Sequence, residues 1–495
     1  MHFRTVTITS SFYDQFESIL KFKKSTRHLS SKLIILPSGI ILKLNNELTD
    51  KRYVWHPYTQ MNDWNKMPIR IVKASGNFFL VDENGTKILD AIGNMWCNVW
   101  GHQKKEIIRA MKKQLDLIPH SSLFGLASVP SLRLAMKMIK ITRGMSKVFF
   151  TDNGSTAVEV SLKMAIQYWK NMGKPQKRKI ISLKNGYHGD TIGCMSIGYL
   201  HRFFSPYRSL LLKGITYLPS PTIRHEKYNR KNNQELSAQE CLECIEKTFR
   251  KNSGTTAAFI MESGAQVAGG IRIYPSGFQE GVSELCKKYE ILLILDEIAT
   301  GLGRLGNICE YASQKSEPDM VCYAKSLTAG YFPLAVTLTT KRIFNAFLGK
   351  YQDNRHLFHG HTFTGNALGC ACALSNLDLY RKFNLIATIR ENSNFLSKLL
   401  KPFSEFDIVS DVRQKGLLGV IELINNRTGK PITKIGSKPI SQFIAEESLK
   451  RGVYYRSLGN LIPFVPPLAI GKQELAIIAN VQRQIVTSIS KSLHS

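Results

Sequence analysis

The sequence predicts an α/β protein: a large domain on a mostly parallel sheet covered by helices, followed by a smaller α+β domain. Three observations predict it. Ala257–Met261 and Ile291–Leu295 are continuous apolar runs of strand length, the pattern of central strands buried on both faces. Helical periodicity alternates with such runs, as in Thr156–Asn171 (Val160, Leu162, Met164, Ala165, Tyr168, Trp169) and Ser276–Tyr289. Beyond about residue 380 the texture changes to helix with short strands at Ile408–Ser410, Leu417–Glu422 and Val453–Arg456.

In chain order, residues 1–46 stand apart as an N-terminal extension. They are basic and Ser/Thr-rich, with Asp14 and Glu17 as their only acids before the end of the segment, and they lack the apolar core of a secretory signal. An organellar transit segment and a translated upstream stretch with a start near Leu44 both fit this composition. Residues 47–105 read as an N-terminal segment joining the small domain, 106–380 as the large domain and 381–495 as the small one. Short strands are expected at Ile69–Ala74, Asn77–Val81 and Lys87–Leu89, with a turn at Asp82-Glu83-Asn84-Gly85. A helix follows at Lys104–Gln114, then strands at Ser146–Phe150 and Lys179–Leu183.

Composition narrows the function classes. Of 495 residues, 43% are hydrophobic and 21% charged, the balance of a globular chain with a large core. The net charge of +30 comes from 67 Lys+Arg against 37 Asp+Glu. No zinc-finger spacing, aromatic RNA-binding motif or long basic block accompanies it, so no nucleic-acid partner is expected. The longest apolar stretches, Leu33–Leu36 and Ile291–Leu295, fall far short of the ~20 residues of a membrane span, so a soluble protein with no membrane partner is expected. The nine cysteines are odd in number, which suits reduced thiols and a cytoplasmic location. Cys241 and Cys244 form a CxxC inside the helical run Glu235–Lys251, with no second pair to complete a metal site.

Six segments carry chemistry. The buried run Ile291–Leu295 ends in Asp296, and ligands of open α/β sheets bind at the carboxyl ends of strands. A carboxylate there needs a permanent positive partner, such as a protonated pyridine nitrogen; a helix cap or a metal ligand are the alternatives. Lys325 leaves the apolar run Met320–Ala324 and precedes small residues. Desolvation there lowers a lysine pKa and makes it a Schiff-base candidate, unless the side chain snorkels to the surface. Asp152-Asn153-Gly154-Ser155-Thr156 sits between strand and helix, where free N–H groups and the helix dipole can cradle a phosphate. Tyr187 and His188 lie in the Gly-bracketed loop Lys184–Thr191, where Tyr187 could stack on a flat cofactor or the loop could be an ordinary polar turn. The Gly-rich loop His359–Asn366 offers the Thr362 hydroxyl to a phosphate; its His359 and His361 lack a third metal ligand. Arg456 ends a short strand and presents a fork suited to a carboxylate, or to a surface ion pair.

Together and in this order, these segments resemble the class III aminotransferases of pyridoxal-phosphate (PLP) fold type I, over nearly all the chain from about Lys51. The resemblance is closest to the 7,8-diaminopelargonic acid aminotransferase family of biotin synthesis. Val54-Trp-His-Pro-Tyr58-Thr-Gln-Met61 is its most specific piece, supported by Asn185–Thr191, Asp296–Gly301 and His359–Asn366. The resemblance implies PLP as cofactor, held by Lys325, Asp296 at the ring nitrogen, Tyr187 on the ring, and Gly154 and Ser155 at the phosphate. Lys325, Asp296 and Tyr187 would be the catalytic set. Thr362 would reach the phosphate of a second copy, implying a homodimer with shared sites. Tyr58, Trp96, Gly360 and Arg456 would bind the substrates, Arg456 through the keto substrate's carboxylate, and no metal would be bound. Glu262, Gln266 and Arg304 match positions near the cofactor. The implied reaction aminates 8-amino-7-oxononanoate to 7,8-diaminononanoate, with S-adenosylmethionine or lysine as donor. Another class III enzyme acting on ω-amino acids or amines is the alternative. Met95 stands where many members carry a tryptophan, and Ser263 and Ser457 stand where they carry proline.

Overall fold

A computed structural model describes residues 5–7, 33–35, 41–43, 46–222 and 236–494. The expected extension lies mostly outside these residues; within it, Thr5–Thr7, Leu33–Ile35 and Ile41–Lys43 pair as one small sheet. The chain divides into two compact units, residues 1–74 with 80–87, and residues 75–79 with 88–495.

In the first unit, Asp50 organises the segment after helix Asn46–Tyr53. Its carboxylate accepts from Trp64 Nε1 at 2.8 Å and lies 2.9 Å from His56 Nε2. Val72–Ala74 pairs antiparallel with 80–82. The expected turn forms at Asp82–Gly85, where the Asp82 carboxylate accepts from the Asn84 and Thr86 amides and Gly85 takes φ +82°.

The second unit is built on seven strands: β1 (Lys147–Thr151), β2 (Lys179–Leu183), β3 (Ile215–Leu218), β4 (Thr256–Glu262), β5 (Leu292–Asp296), β6 (Met320–Tyr323) and β7 (Ala335–Thr339). Their order is β1-β7-β6-β5-β4-β2-β3. Neighbours from β6 through β3 pair parallel, and only β7 runs antiparallel, to both β6 and β1. The expectation of a mostly parallel sheet therefore holds.

Period-2 geometry explains why the central strands are apolar throughout. Ile180, Ala258, Ile260, Leu292, Ile294, Met320 and Cys322 face one side, against Ala157, Val158, Val160 and Ala165 of helix α1 (Gly154–Asn171). Their alternating neighbours Ile181, Phe259, Met261, Leu293, Leu295, Val321 and Tyr323 face the other, against Ile245 and Phe249 of helix Ala238–Asn252 and Phe278 and Val282 of helix Phe278–Lys288. Each fully buried Leu, Ile or Phe contributes ~1.5–3 kcal/mol. C-terminal to this sheet, Val409–Lys415, Leu418–Leu423 and Leu461–Phe464 form an antiparallel sheet. Its Leu423, Ile462 and Phe464 pack with Ile444, Ile478 and Ile485 of helices Ile440–Lys450 and Lys472–His494.

Candidate active site

The sheet places candidate functional residues at the carboxyl ends of five of its six parallel strands. β4 ends on Glu262 and β5 on Asp296. β6 hands over to Lys325, β2 to the loop of Tyr187 and His188, and β1 to Gly154 and Ser155. All seven residues line one cavity of about 550 Å³, together with Trp96 and Cys97. This is the position that strand direction predicts for a ligand site.

Asp296 is buried, 4% exposed. One carboxylate oxygen accepts from the Ile298 amide at 2.9 Å and the other lies 2.8 Å from His188 Nδ1. Glu262 is held just as firmly, accepting from the Tyr187 and Val267 amides at 3.2 and 2.9 Å. Burial pushes its carboxyl up to about 7, against the field of His188, which acts downward. Lys325 has φ +41°, an uncommon conformation for a side chain with a Cβ, at the first residue of a short 3₁₀ turn. Burial lowers its pKa, while Asp296 and Glu262 act in the opposite direction. The lysine is partly buried and lines the cavity. Its Nζ stands 5.8 Å from the centroid of the Trp96 ring.

The wall around Gly154 and Ser155, the candidate phosphate cradle, is closely packed. Asn153 caps α1, its side chain accepting from the Thr156 amide. A Cβ on Gly154 would stand 3.0 Å from two carbons of Ile298. A Cβ on Gly189 would fall on the Ser155 hydroxyl, and Gly189 has φ +123°. Only glycine leaves this wall open.

One segment of the cavity wall is strained. Gly93, Asn94, Met95 and Trp96 have φ of +55°, +48°, +69° and +70°, a full left-handed turn. Each left-handed residue with a Cβ costs roughly 1–2 kcal/mol. No apolar periodicity signals such a turn; only Gly93 and Asn94 suit it.

The remaining sequence candidates fall elsewhere. Gly360, Thr362 and Arg456 are exposed and are not among the cavity's lining residues. Tyr58 is exposed in the first unit, with φ +54°. The loop of Thr362 is tied beside the cradle: His361 Nδ1 lies 2.9 Å from Asp152 Oδ2, an ion-pair distance without hydrogen-bond alignment. Lys163 Nζ meets His359 Nδ1 at 3.0 Å. Arg304 is buried, donating to the Leu417 and Pro466 carbonyls at 3.0 and 2.7 Å, and burial pushes its pKa down to about 10. Gln266 bridges Ser220 and the Lys184 carbonyl. Both are structural ties here. Cys241 and Cys244 sit on one helix as free thiols. His188 is the group to which residue-by-residue reading assigned no role. The sign of it was available: an imidazole beside Tyr187, on the strand loop next but one to Asp296.

The class-III aminotransferase family model matches residues 59–486. The chain belongs to the class-III aminotransferases. These are PLP enzymes, and the residues fit that cofactor. His188 Nε2 is buried at the cavity wall without a hydrogen-bond partner among the described residues. A buried carboxylate, a desolvated lysine and a glycine-lined cradle share the same cavity. The chain is 40% identical to the adenosylmethionine-8-amino-7-oxononanoate aminotransferase of Methanocaldococcus jannaschii, over 88% of this chain and 96% of that one. It is 38% identical to the Staphylococcus aureus enzyme of the same name, over 89% and 97%. The crystal structure of the M. jannaschii enzyme superimposes with a TM-score of 0.82, covering 90% of this chain and 98% of that one at 38% identity. The Pseudomonas jessenii omega transaminase in complex with PMP has a TM-score of 0.84 at 27% identity, covering 90% and 99%. No described helix is long and apolar enough to cross a membrane.

Proposed function

We propose that this aminotransferase converts 8-amino-7-oxononanoate to 7,8-diaminononanoate in biotin biosynthesis, taking the amino group from S-adenosylmethionine. Identity of 38–40% to enzymes named for that substrate pair, across nearly their whole length, carries the reading. PLP, when bound, supplies the electron sink that lets an amino group leave one carbon and arrive at another. Lys325 would hold it, with Asp296 at the ring nitrogen, Tyr187 on the ring face, and Gly154 and Ser155 at the phosphate.

The protein's own work is positioning and proton transfer. The Nζ of Lys325 takes a proton from the carbon that bears the donor amine and later returns one, a task that its lowered pKa suits. Asp296 presents a carboxylate oriented by His188 and the Ile298 amide. Trp96 walls the substrate side of the cavity. Tyr58 and Arg456 bind substrate, Arg456 through its carboxylate. The exposed Gly360–Thr362 loop serves a second copy, with Thr362 reaching that copy's phosphate site, so the working unit is a cytoplasmic homodimer.

The test is a donor comparison with the PLP-loaded protein. S-adenosylmethionine and lysine are mixed with it separately, and the bound cofactor's absorbance is followed. The reading expects conversion by S-adenosylmethionine, and then diaminononanoate on adding the keto substrate. Conversion by lysine alone would change the donor. Conversion only by unrelated ω-amino acids would replace the reading with that of a general amine transaminase.

A further inference from the structure

We propose that Asp90 is a positioning residue whose carboxylate holds the left-handed turn Gly93–Trp96, and that this turn sets the substrate-side wall of the cavity. The inference rests on the aminotransferase reading for its substrates, but the geometry that carries it is local.

Asp90 is fully buried at the end of strand Lys87–Asp90. A carboxylate in such a place is costly unless its oxygens find partners. One oxygen accepts from the Ile92 and Asn94 amides, at 3.3 and 3.1 Å. The other lies 3.3 Å from His102 Nε2, an ion-pair distance without hydrogen-bond alignment. The turn that begins two residues later is then closed by its own backbone: Trp96 N donates to Ile92 O at 2.9 Å, and the amides of Cys97 and Asn98 both donate to Gly93 O, at 3.0 and 2.9 Å. Cys97 Sγ satisfies the Asn94 carbonyl at 3.0 Å. Gly93 is pressed against Val465–Pro467, with its Cβ position 3.4 Å from Pro467 N.

Three consecutive residues with a Cβ do not stay left-handed unless the surroundings over-determine them. Here the Asp90 carboxylate fixes the entry and the Gly93 carbonyl fixes the exit. The product of that strain is functional. The turn delivers Trp96 and Cys97 to the cavity wall, with the indole beside Lys325 Nζ, and leaves Met95 half exposed. A right-handed or extended path through 93–96 would aim these side chains elsewhere. Asp90 itself does not line the cavity, so it acts on substrates only through the turn.

The test uses three variants of the PLP-loaded protein. Asp90→Ala removes both acceptor oxygens. Asp90→Asn keeps one oxygen to accept from Ile92 and Asn94. Asn94→Val puts a β-branched residue at an exposed left-handed position, so the core is undisturbed if Asp90→Ala does not fold. Hydrogen exchange at the amides of 92–98 is read first, without substrate; wild-type turnover is confirmed separately, so loss of the substrate reading and loss of this one are distinct. Asp90→Ala and Asn94→Val are expected to exchange faster there and to raise KM for the amino acceptor on the order of tenfold or more, with kcat changed far less. Asp90→Asn is expected to keep most of the wild-type KM. Wild-type exchange and wild-type KM in both Asp90→Ala and Asn94→Val overturn the proposal. So does a loss in Asp90→Asn as large as in Asp90→Ala, because the acceptor oxygen would then not be what matters.

Discussion

Replacing His188 by leucine removes a side-chain partner of Asp296 Oδ2, a contact of 2.8 Å between two residues that are 3% and 4% exposed. The Ile298 amide still serves the other oxygen. A hydrogen bond to a charged group contributes about 1.5–3 kcal/mol net. Deleting one member of a buried pair costs about 3–5 kcal/mol, because the charge left behind is uncompensated. Glu262 loses the same neighbour, whose field opposes the effect of its burial. His188→Leu should therefore destabilise the protein by about 3 kcal/mol at neutral pH. His188→Asn, whose amide can donate where Nδ1 stood, should lose about half as much. The assay is urea unfolding of cofactor-stripped and cofactor-loaded protein side by side. In the stripped protein the loss reports the two buried carboxylates, Asp296 and Glu262, without the cofactor; in the loaded protein the cofactor adds its own partner and the loss should shrink. A stripped His188→Leu protein within about 0.5 kcal/mol of wild type would refute the argument that His188 supports this carboxylate.

Three other outcomes are expected. Lys325→Ala should abolish turnover and leave the melting temperature of the stripped protein near wild type or higher, since it removes a buried amine; a turning-over variant would remove Lys325 from its assigned role. Gly189→Ala should weaken PLP binding on the order of a hundredfold, because its Cβ would occupy the place of the Ser155 hydroxyl at a φ that favours glycine; titration of stripped protein with PLP measures it. Glu297 is buried, accepts from the Glu310 and Tyr311 amides, and has a carboxyl pushed by burial from 4.5 up to about 7. The folded chain therefore binds a proton there that the unfolded chain has released between pH 4.5 and 7, so this group's contribution to stability falls as pH rises across that window and stays low above it. Relative to Glu297→Gln, wild type should lose up to about 3 kcal/mol between pH 4.5 and pH 8, and a pH-independent difference would contradict it.

What the sequence shows most plainly is what local chemistry decides. The runs at Ala257–Met261 and Ile291–Leu295 are strands because both faces are covered; in the structure they become Thr256–Glu262 and Leu292–Asp296, each ending on a carboxylate. Asn153 and Gly154 announce the start of α1 through capping chemistry. The antiparallel β7 is harder to see, since Ala335–Thr339 is short and the residues it pairs with are 13 or more positions away in sequence. The left-handed turn at 93–96 is invisible because Met95 and Trp96 adopt it against their own preference, under contacts from Asp90 and Val465–Pro467. Cavity-forming residues Lys325, Asp296, Tyr187, Gly154, Ser155 and Trp96 were all legible, and they meet in one place. Thr362, Gly360 and Arg456 were legible only as motif members, and a single chain leaves them exposed.

The most direct measurement is product formation by the purified, PLP-loaded protein given 8-amino-7-oxononanoate and S-adenosylmethionine. The account predicts 7,8-diaminononanoate, formed only when both substrates are present and lost in Lys325→Ala. No diaminononanoate with either S-adenosylmethionine or lysine, from protein that transaminates other amines, would contradict it.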